Sequence, residues 1–545
     1  MEPRIDIVGL TLGHAAVNAR GPTATPIAAR WLGLAFWCVL LLPLAILLPP
    51  VPIDETRYLT AAWEMFNSGQ WLVPTVNGEW YPDKSPLLFW LIAGGWKLVG
   101  AHTWVARVEA LAIALGIMLA LRRLALRLGM DARGADAAMW LLAGCLGFAV
   151  FATAIMFDLL LTLCVLGALH ALLDLDGGRW KRGVAVLGVT LGLGVLAKGP
   201  VVLLHVMPVA LLAPAWSGTA RARKARWYPA LASGVLIGIA IALAWLLPAA
   251  WLAGPTYWQP LVGKVTGRLA SSFAHSRPFW WYLPLVPLLL LPWLLVLRAP
   301  WTAWANVLRG RFGRFVACWW VAPFVGFSAI SGKQIHYLLP LLPAWALVGA
   351  WLLQQRGARL RPLLFALLAL AAASVLAWLP FRAAKTFGWP ARPALTWFMP
   401  AAVVVAAGVW RTRGHDAQRL ALSATALVSI TMLAATLAYR PAFDVTPEAM
   451  FVKQELAAHV PIAHIGWHNG LFGYTGRLRQ PLPWVEDTAV QAWCRKHPGG
   501  ILLTSDSHMG PSGARPWRTW PYALSGDHRI TAWRAADVLD AGTPR

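Results

Sequence analysis

The chain has 545 residues, of which 58% are hydrophobic and only 13% are charged, and its mean hydropathy is +0.58. These proportions exclude an ordinary soluble domain and indicate a protein that crosses a membrane many times. The formal net charge of +24 does not predict a nucleic-acid partner, because the cytoplasmic loops of membrane proteins collect lysine and arginine.

The apolar runs predict about 13 membrane helices, since a hydrocarbon core of about 30 Å requires roughly 20 apolar residues, or fewer where a helix is enclosed in a bundle. With a cytoplasmic N-terminus, every predicted inner loop is basic, as the positive-inside rule requires. The first run is then expected to be an uncleaved anchor. The predicted spans cover residues 31–49, 104–125, 135–153, 156–173, 183–198, 200–216, 228–252, 280–298, 314–331, 336–353, 361–380, 396–411 and 418–438.

The apolar run 86–99 is short, and counting it as a crossing would place the later arginine clusters outside. We therefore predict an interfacial or re-entrant helix within a long first outer loop, residues 50–103. Residues 1–438 are then the membrane domain, and the more polar residues 439–545 are a small α/β domain on the outer, periplasmic side. The patterns behind this domain are helical at 448–459 and 488–496 and strand-like at 462–467, 501–504 and 529–533.

Ionisable residues recur at the outer ends of these apolar runs. A charge costs roughly 2.5–3.5 kcal/mol at the centre of a membrane helix and less near its ends, so a cluster is usually paired or functional. Several cations there suit a phosphate or pyrophosphate group, and a nearby carboxylate can take a proton from an incoming hydroxyl. The pattern predicts transfer chemistry from a lipid phosphate. The residues concerned are Asp54, Glu55, Asp83, Lys84, Asp158, Lys198, Arg268, His275, Lys333 and His336.

Other interpretations stay open at this point. Asp54 and Glu55 could cap an interfacial helix, and Lys198 could extend from a helix end to the lipid headgroups. A membrane transporter would also place charges in membrane helices, but it should show paired halves or broken helices, and the sequence shows neither. A non-catalytic envelope scaffold that binds through the outer domain would require neither Asp54 nor Lys84.

An ordered set of motifs resembles one superfamily along the membrane portion to about residue 350. It resembles the polyprenyl-phosphate-dependent glycosyltransferases of the GT-C fold, which include the bacterial lipid A aminoarabinose transferases (ArnT-like enzymes) and the dolichyl-phosphate-mannose protein mannosyltransferases, glycosyltransferase families 39 and 83. The motifs are Asp54-Glu-Thr-Arg-Tyr58, Glu64-Met65, Ser68-Gly-Gln-Trp-Leu-Val-Pro74, Asn77-Gly78, Tyr81, Asp83-Lys-Ser-Pro-Leu87, Phe157-Asp158, Ala197-Lys-Gly-Pro200, Gly267-Arg268, His275 to Tyr282, Leu291-Pro-Trp293 and Ser331-Gly-Lys-Gln-Ile-His-Tyr-Leu-Leu-Pro340.

The resemblance implies a multi-pass enzyme of the bacterial inner membrane that moves a sugar from an undecaprenyl-type phosphate. The acceptor would be lipid A, another lipid, a glycan or a protein on the periplasmic face, and the transfer would proceed with inversion. It implies catalytic roles for Asp54 and Glu55, with Asp54 activating the acceptor. The implied donor-phosphate residues are Arg57, Lys84, Lys198, Arg268 and Lys333. The implied pocket residues are Tyr58, Tyr81, Asp83, Asp158, His275, His336 and Tyr337.

The chain departs from this pattern at the implied metal site. In the aminoarabinose transferases a glutamate precedes the loop lysine and a histidine lies three residues before the arginine, whereas this chain has Asp83 and Val265. No cofactor is therefore assigned. A divalent metal held by Asp83 with His275 is the metal hypothesis that remains.

Overall fold

The computed structural model describes residues 27–260, 263, 276–387, 398–410, 417–505, 510–511, 513–524 and 528–541. Two predicted site residues, Arg268 and His275, lie outside these ranges. Among the described residues, eight helices are long and apolar enough to cross a membrane, which confirms a multi-pass α-helical protein; the count of 13 spans stays a prediction. The eight are Ile27–Leu47, Thr103–Arg127, Phe157–Asp176, Trp180–Lys198, Lys224–Ala253, Arg311–Ala329, Ile335–Leu353 and Ala417–Ala457.

The first eight helices carry most of the candidate site. The helices Thr103–Arg127 and Phe157–Asp176 pack together, and Trp180–Lys198 packs antiparallel to Phe157–Asp176 after a short turn. Between the first and fourth helices the outer loop also forms a short hairpin, Thr75–Val76 with Glu79–Trp80. The helices are α1 (Ile27–Leu47), α2 (Asp54–Ser68), α3 (Leu87–Val99), α4 (Thr103–Arg127), α5 (Ala132–Ala143), α6 (Leu146–Phe151), α7 (Phe157–Asp176) and α8 (Trp180–Lys198).

Glycines allow α8 to lie directly against the long helix Lys224–Ala253. A Cβ at Gly188 would come within 2.5 Å of Ile237, and a Cβ at Gly192 within 2.6 Å of Ile241. Small residues four apart let membrane helices approach closely, where packing rather than the hydrophobic effect drives association. This contact anchors α8, whose last residue is Lys198.

Several predicted spans are divided in the structure, and two of the breaks lie against each other. The span 135–153 divides at Gly144 and Cys145 into α5 and α6, and the span 280–298 divides into Tyr282–Leu289 and Trp293–Val296. The amide of Leu146 donates to the carbonyl of Leu291 at 2.8 Å, so each break supplies a partner for the other. The sequence patterns did not indicate these breaks. Continuous apolar sequence hid the breaks, although Gly144 and Pro292 are residues that interrupt helices.

The remaining elements of the membrane part complete the bundle. A small antiparallel pair, Leu297–Arg298 with Arg359–Leu360, joins two connections. The other helices are Val201–Leu211, Ala213–Trp216, Gly218–Ala222, Lys224–Ala253, Trp301–Arg309, Arg311–Ala329, the 3₁₀ turns Phe279–Trp281 and Ile335–Leu341, Leu342–Leu353, Pro362–Phe387, Phe398–Trp410 and Ala417–Phe443.

The C-terminal part forms a five-stranded mixed sheet with helices on it. Its core includes Phe472 and Ile530, both fully buried. In spatial order the strands are Trp484–Val485, Ile462–Ile465, Ile501–Thr504, Arg529–Arg534 and Arg518–Pro521, with the first three parallel and the last two antiparallel to their neighbours. The helices are Thr446–Ala457, Val490–Lys496 and Ala535–Ala541, with a 3₁₀ turn at Asp487–Ala489.

Candidate active site

Asp54 opens α2 and turns its carboxylate toward side chains of the same helix. Arg57 donates to Asp54 Oδ1 through Nη2 at 2.5 Å, and the hydroxyl of Tyr58 donates to the same oxygen at 3.2 Å. The residue at the N-cap position is Ile53, so Asp54 lies in the first turn. Burial and the charge of Asp54 raise the pKa of Tyr58, which keeps its hydroxyl a donor to the carboxylate. The Asp54 side chain stays 36% exposed, so its carboxylate is open to a substrate.

Glu55 belongs to a different, buried network. Arg107 of α4 donates to both its carboxylate oxygens, at 3.1 and 2.6 Å, and the amides of Val51 and Ile155 donate at 2.9 and 3.1 Å. Glu55 and Arg107 are 5% and 1% exposed. Such a closed, fully engaged pair argues against the predicted catalytic role of Glu55, because the carboxylate faces no substrate. It fastens the start of α2 to α4 and to the segment before α7.

The sequence reasoning missed Arg107. A signal for it existed, because it is an arginine near the start of the apolar span 104–125, and charges inside membrane helices are normally paired or functional. Arg107 also donates to the carbonyls of Thr153 and Pro49, at 3.2 and 2.9 Å. It therefore ties together chain segments that lie on both sides of the predicted first outer loop.

A second charged cluster forms where α7 begins and α8 ends. Lys198 Nζ lies 2.5 Å from Asp158 Oδ1, and His336 Nε2 lies 3.8 Å from Asp158 Oδ2. The Lys198 ammonium also lies 4.6 Å from the centre of the Tyr337 ring. The side chain of Lys198 is only 13% exposed, so it is held within the protein rather than extended to lipid headgroups. Four predicted site residues therefore meet here.

Lys84 joins the two clusters. Its ammonium lies 5.6 Å from the ring centres of both Tyr58 and Phe157, which contact each other edge to face. Burial first, and then the nearby charge of Lys198, lower the pKa of Lys84 to about 8, while Asp54 and Asp158 oppose that shift. The Lys84 ammonium therefore interacts electrostatically with the carboxylates of both Asp54 and Asp158. The convergence of Asp54, Lys84, Asp158 and Lys198 is what the sequence patterns predicted.

The cations outnumber the carboxylates in this combined cluster. Arg57, Lys84 and Lys198 carry three positive charges against the two negative charges of Asp54 and Asp158. The guanidinium of Arg57 lies 5.6 and 5.9 Å from the ring centres of Tyr58 and Tyr81. Aromatic rings therefore pack beside the cations of the cluster. The arrangement presents an excess positive charge and one accessible carboxylate in a shared space, and it can receive an anionic group next to a potential general base.

Two predicted donor-phosphate residues, Lys333 and Arg268, are not seen at the cluster. Lys333 is 3% exposed, and its ammonium donates to the carbonyl of Ile330 and, at 3.1 Å, to that of Arg277. It therefore ties down its own loop, in contrast to the predicted contact with donor phosphate. Arg268 lies outside the described ranges, so its role stays a prediction.

The metal hypothesis is also left as a prediction. Asp83 is half-buried in the loop beside Lys84, but its proposed partner His275 falls in a part of the chain that the structure does not describe. Within the described ranges, no group of three or more histidine, cysteine, aspartate or glutamate residues could hold a metal ion.

A loop of the C-terminal part, residues 466–478, lies against α2. The hydroxyl of Thr60 donates to the carbonyl of Gly470 at 2.6 Å and accepts from the amide of Tyr474 at 3.0 Å. A Cβ at Gly473 would come within 2.6 Å of Thr60, so only a glycine permits this approach. The backbone of the 466–478 loop thus lies directly against α2.

The same loop contacts the charged cluster itself. Asn469 accepts a hydrogen bond from Arg57 Nη1 at 3.3 Å, and Arg57 in turn holds Asp54. Tyr474 stacks on Trp96 with ring centres 5.0 Å apart, and the guanidinium of Arg477 lies 4.0 Å from the Tyr474 ring centre. The sequence patterns gave no sign of these contacts, which join residues about 400 positions apart.

These features define a class of protein. A polytopic helical bundle that gathers carboxylates and cations from α2, the following loop, α7 and α8 has the architecture of the membrane-embedded GT-C glycosyltransferases. Solved structures share this fold: the crystal structure of ArnT from Cupriavidus metallidurans in the apo state has a TM-score of 0.72 at 20% sequence identity and covers 95% of this chain and 100% of its own. The structure of that protein bound to undecaprenyl phosphate has a TM-score of 0.70 at 19% identity and covers 94% and 98%.

Sequence comparison gives the family. The sequence model of the dolichyl-phosphate-mannose-protein mannosyltransferase family matches residues 83–247. The undecaprenyl phosphate-alpha-4-amino-4-deoxy-L-arabinose arabinosyl transferase of Pseudomonas paraeruginosa is 32% identical over 433 residues, which cover 74% of each chain. The arabinosyl transferase 2 of Pseudomonas fluorescens is 32% identical over 385 residues, and the match spans 67% of this chain but 63% of that relative. The chain belongs to the family of these undecaprenyl phosphate-aminoarabinose arabinosyl transferases, as the motifs predicted.

Proposed function

We propose that this protein is a glycosyltransferase that moves a sugar from an undecaprenyl phosphate donor to an acceptor on the periplasmic face of a bacterial inner membrane. The relatives are named as undecaprenyl phosphate-alpha-4-amino-4-deoxy-L-arabinose arabinosyl transferases, and these names supply the donor class and the sugar of the proposal. Lipid A is the acceptor that the family resemblance favours. The observation that carries the proposal is the meeting of Asp54 with Lys84, Asp158 and Lys198 in one cluster.

The cations account for the donor half of the reaction. A polyprenyl phosphate ester carries negative charge, and that charge grows on the phosphate oxygen as the bond to the sugar breaks. Lys84 and Lys198 hold fixed positive charge among aromatic rings, where it interacts strongly with a developing anion. Asp158 keeps the Lys198 ammonium in place before the donor binds. The phosphate can then share that ammonium with Asp158.

Asp54 accounts for the acceptor half. The acceptor hydroxyl oxygen attacks the anomeric carbon from the side opposite the phosphate, and its proton passes to the Asp54 carboxylate. The bond between the anomeric carbon and the phosphate oxygen breaks with its electron pair on the phosphate. The products are the glycosylated acceptor, with inverted configuration, and polyprenyl phosphate.

Arg57 connects the two halves. In the structure Arg57 Nη2 donates to Asp54 Oδ1 at 2.5 Å, so the guanidinium occupies that carboxylate oxygen. A bound donor phosphate offers Arg57 a second anionic partner. Arg57 then leaves Asp54 partly free to take the acceptor proton, so donor binding prepares the base. Glu55 and Lys333 hold the surrounding loops in this proposal and take no part in the transfer.

Transport is the competing function, and the helix breaks at Gly144 and Pro292 are the feature that favours it. The cavity beside these breaks is lined mainly by apolar side chains such as Leu141, Trp293 and Val348. Charged groups that would bind a solute are instead gathered at the Asp54 and Asp158 clusters. The breaks therefore do not lead us to propose a transporter.

The test is product formation by purified protein in lipid nanodiscs, with undecaprenyl phosphate-linked aminoarabinose as donor and lipid A as acceptor. Removing a general base costs roughly 100-fold or more, so Asp54→Asn is expected to lose that much turnover and to keep undecaprenyl phosphate binding. Glu64→Gln is the matched control on the same helix and is expected to keep activity. Full turnover by Asp54→Asn would overturn the assignment of the base.

The acceptor and sugar are tested separately in cells. Mass spectrometry of envelope lipids and glycans from a deletion strain is expected to show loss of one glycosyl mass from one acceptor. Loss of an aminoarabinose mass from lipid A would establish both partners. Loss of a different glycosyl mass would keep the reaction type and replace the substrates, and an unchanged envelope would contradict the transferase proposal.

A further inference from the structure

A cavity of about 350 Å³ lies at the ends of α4, α7 and α8 that are farthest from the candidate active site. On α7, Asp158 belongs to the site, whereas Asp174 lies at the cavity, and the 16 residues between them span roughly 24 Å of helix. The cavity therefore opens at the opposite side of the membrane. It plays no part in the transfer chemistry described above.

The charged end of the cavity contains more guanidinium groups than its carboxylate can neutralise. Asp174 is 3% exposed and lies 2.7 Å from both Arg127 and Arg179 and 3.2 Å from Arg182. Arg123 also lines the cavity and acts electrostatically on Arg127. Three arginines, Arg123, Arg127 and Arg182, line the cavity with Asp174, and Arg179 pairs with Asp174 from outside the lining, so positive charge is in excess.

Arg127 is held in position by more than its ion pair with Asp174. Arg127 also donates to the carbonyl of His170 at 2.8 Å and lies 3.3 Å from its Nδ1, while His170 Nε2 lies 3.0 Å from the carbonyl of Ala120. The network joins α4 to α7 across the floor of the cavity. A preorganised group of guanidiniums is suited to a phosphate, whose oxygens they bind in pairs.

The other end of the cavity is apolar and reaches toward the centre of the membrane. Leu119 and Val186 each lie one helical turn deeper than Arg123 and Arg182, and Gly167 lies about two turns, roughly 10 Å, deeper than Asp174. Leu119, Gly167 and Val186 are only half-buried, so this end of the cleft is open to surrounding lipid. A free phosphate ion would use only the charged end, whereas a phospholipid would fill both.

We propose that this cavity binds an anionic phospholipid, with the headgroup phosphate on Arg123, Arg127 and Arg182 and the start of an acyl chain along Leu119, Gly167 and Val186. The lipid belongs to the leaflet opposite the active site, which is the cytoplasmic leaflet in the topology proposed above. Basic pockets between membrane helices on that side are a recurrent form of headgroup site. The proposal stands on the cavity and its charges, and it does not depend on the enzyme's substrates.

The test is lipid retention by the full-length protein, measured by native mass spectrometry after purification with either dioleoyl phosphatidylglycerol or dioleoyl phosphatidylcholine. The wild-type protein is expected to retain the anionic lipid at least about tenfold better than the zwitterionic one. Arg123→Gln/Arg182→Gln is expected to lose that preference by about tenfold, and Lys181→Gln, which removes a neighbouring exposed charge outside the cavity, is expected to keep it.

Two further arms separate a lipid from a bare phosphate and guard against a folding defect. Val186→Phe fills the apolar end without changing charge and is expected to reduce retention, while millimolar inorganic phosphate is expected to leave the bound lipid in place. Arg123→Gln alone alters an exposed side chain and leaves the Asp174 ion pairs intact, so its loss of retention cannot be attributed to unfolding. Equal retention of the two lipids by the wild type, unchanged retention by the arginine variants or by Val186→Phe, or displacement by phosphate would each overturn the proposal.

Discussion

Replacing Arg107 by methionine tests whether Glu55 is a structural residue. The change removes two charge-assisted hydrogen bonds to Glu55 and two more to the carbonyls of Thr153 and Pro49. It leaves Glu55 with two backbone amide donors in a buried site. Breaking a buried pair by removing one partner costs about 3–5 kcal/mol, because the other charge stays desolvated and uncompensated. We expect Arg107→Met to lower the free energy of unfolding by that amount.

The measurement is equilibrium unfolding in mixed detergent micelles, followed by tryptophan fluorescence. Arg123→Met removes an exposed arginine from the same helix and is expected to change the free energy of unfolding by less than about 1 kcal/mol. The double variant Glu55→Gln/Arg107→Met removes both charges and is expected to recover part of the loss. The reasoning is refuted if Arg107→Met is as stable as the wild type, or if Glu55→Gln alone keeps full stability and abolishes turnover.

Three further predictions concern the site and the loop above it. The pKa of Lys84 is lowered to about 8, and its protonated form binds the phosphate, so kcat/KM for the donor should fall as pH rises through 8. Lys84→Arg should move that fall to higher pH. An identical pH profile in the variant would contradict the assignment. Asn469→Ala removes a hydrogen bond to Arg57, so we expect about a fivefold loss of kcat, corresponding to about 1 kcal/mol, with little change in donor KM. A change in KM alone would indicate a binding role instead. Gly473→Val should destabilise the contact with α2 by about 1–3 kcal/mol and speed limited proteolysis after residue 443. Gly499→Val, where a Cβ has open space, should do neither. Equal cleavage of the two variants would show that the contact is not tight.

Much of the membrane part was predictable because the bilayer restricts what a sequence can do. Apolar runs and the placement of arginines indicated a multi-pass helical protein, and the family comparison confirmed the GT-C class. The meeting of Asp54, Lys84, Asp158 and Lys198 followed from one rule, that residues at the same ends of successive spans lie on the same side. Residue type and position along the chain were sufficient for that inference.

Partner choice was not predictable in the same way. Glu55 and Asp54 are adjacent in sequence, but successive residues of a helix face different directions, so one meets Arg57 and the other meets Arg107. The ammonium of Lys333 is held by carbonyl oxygens, which no side-chain pattern reveals. Only the folded chain distinguishes these lysines and carboxylates from those of the reactive cluster.

The helix breaks and the C-terminal contact were hidden for related reasons. Hydropathy is the same on both sides of Gly144 and Pro292, so an apolar run gives no sign that its ends belong to different helices. The Arg57–Asn469 hydrogen bond depends on how a loop of the C-terminal part packs on α2. Its two residues lie more than 400 positions apart, beyond the reach of any periodicity.

A structure of the protein with undecaprenyl phosphate, solved by electron microscopy in nanodiscs, tests the central claim most directly. The phosphate is expected within hydrogen-bonding distance of the Lys84 and Lys198 ammonium groups, with Arg57 turned from Asp54 toward it and with room for one sugar beside the Asp54 carboxylate. A phosphate bound away from both lysines, or on the opposite side of the membrane from Asp54, would contradict the account.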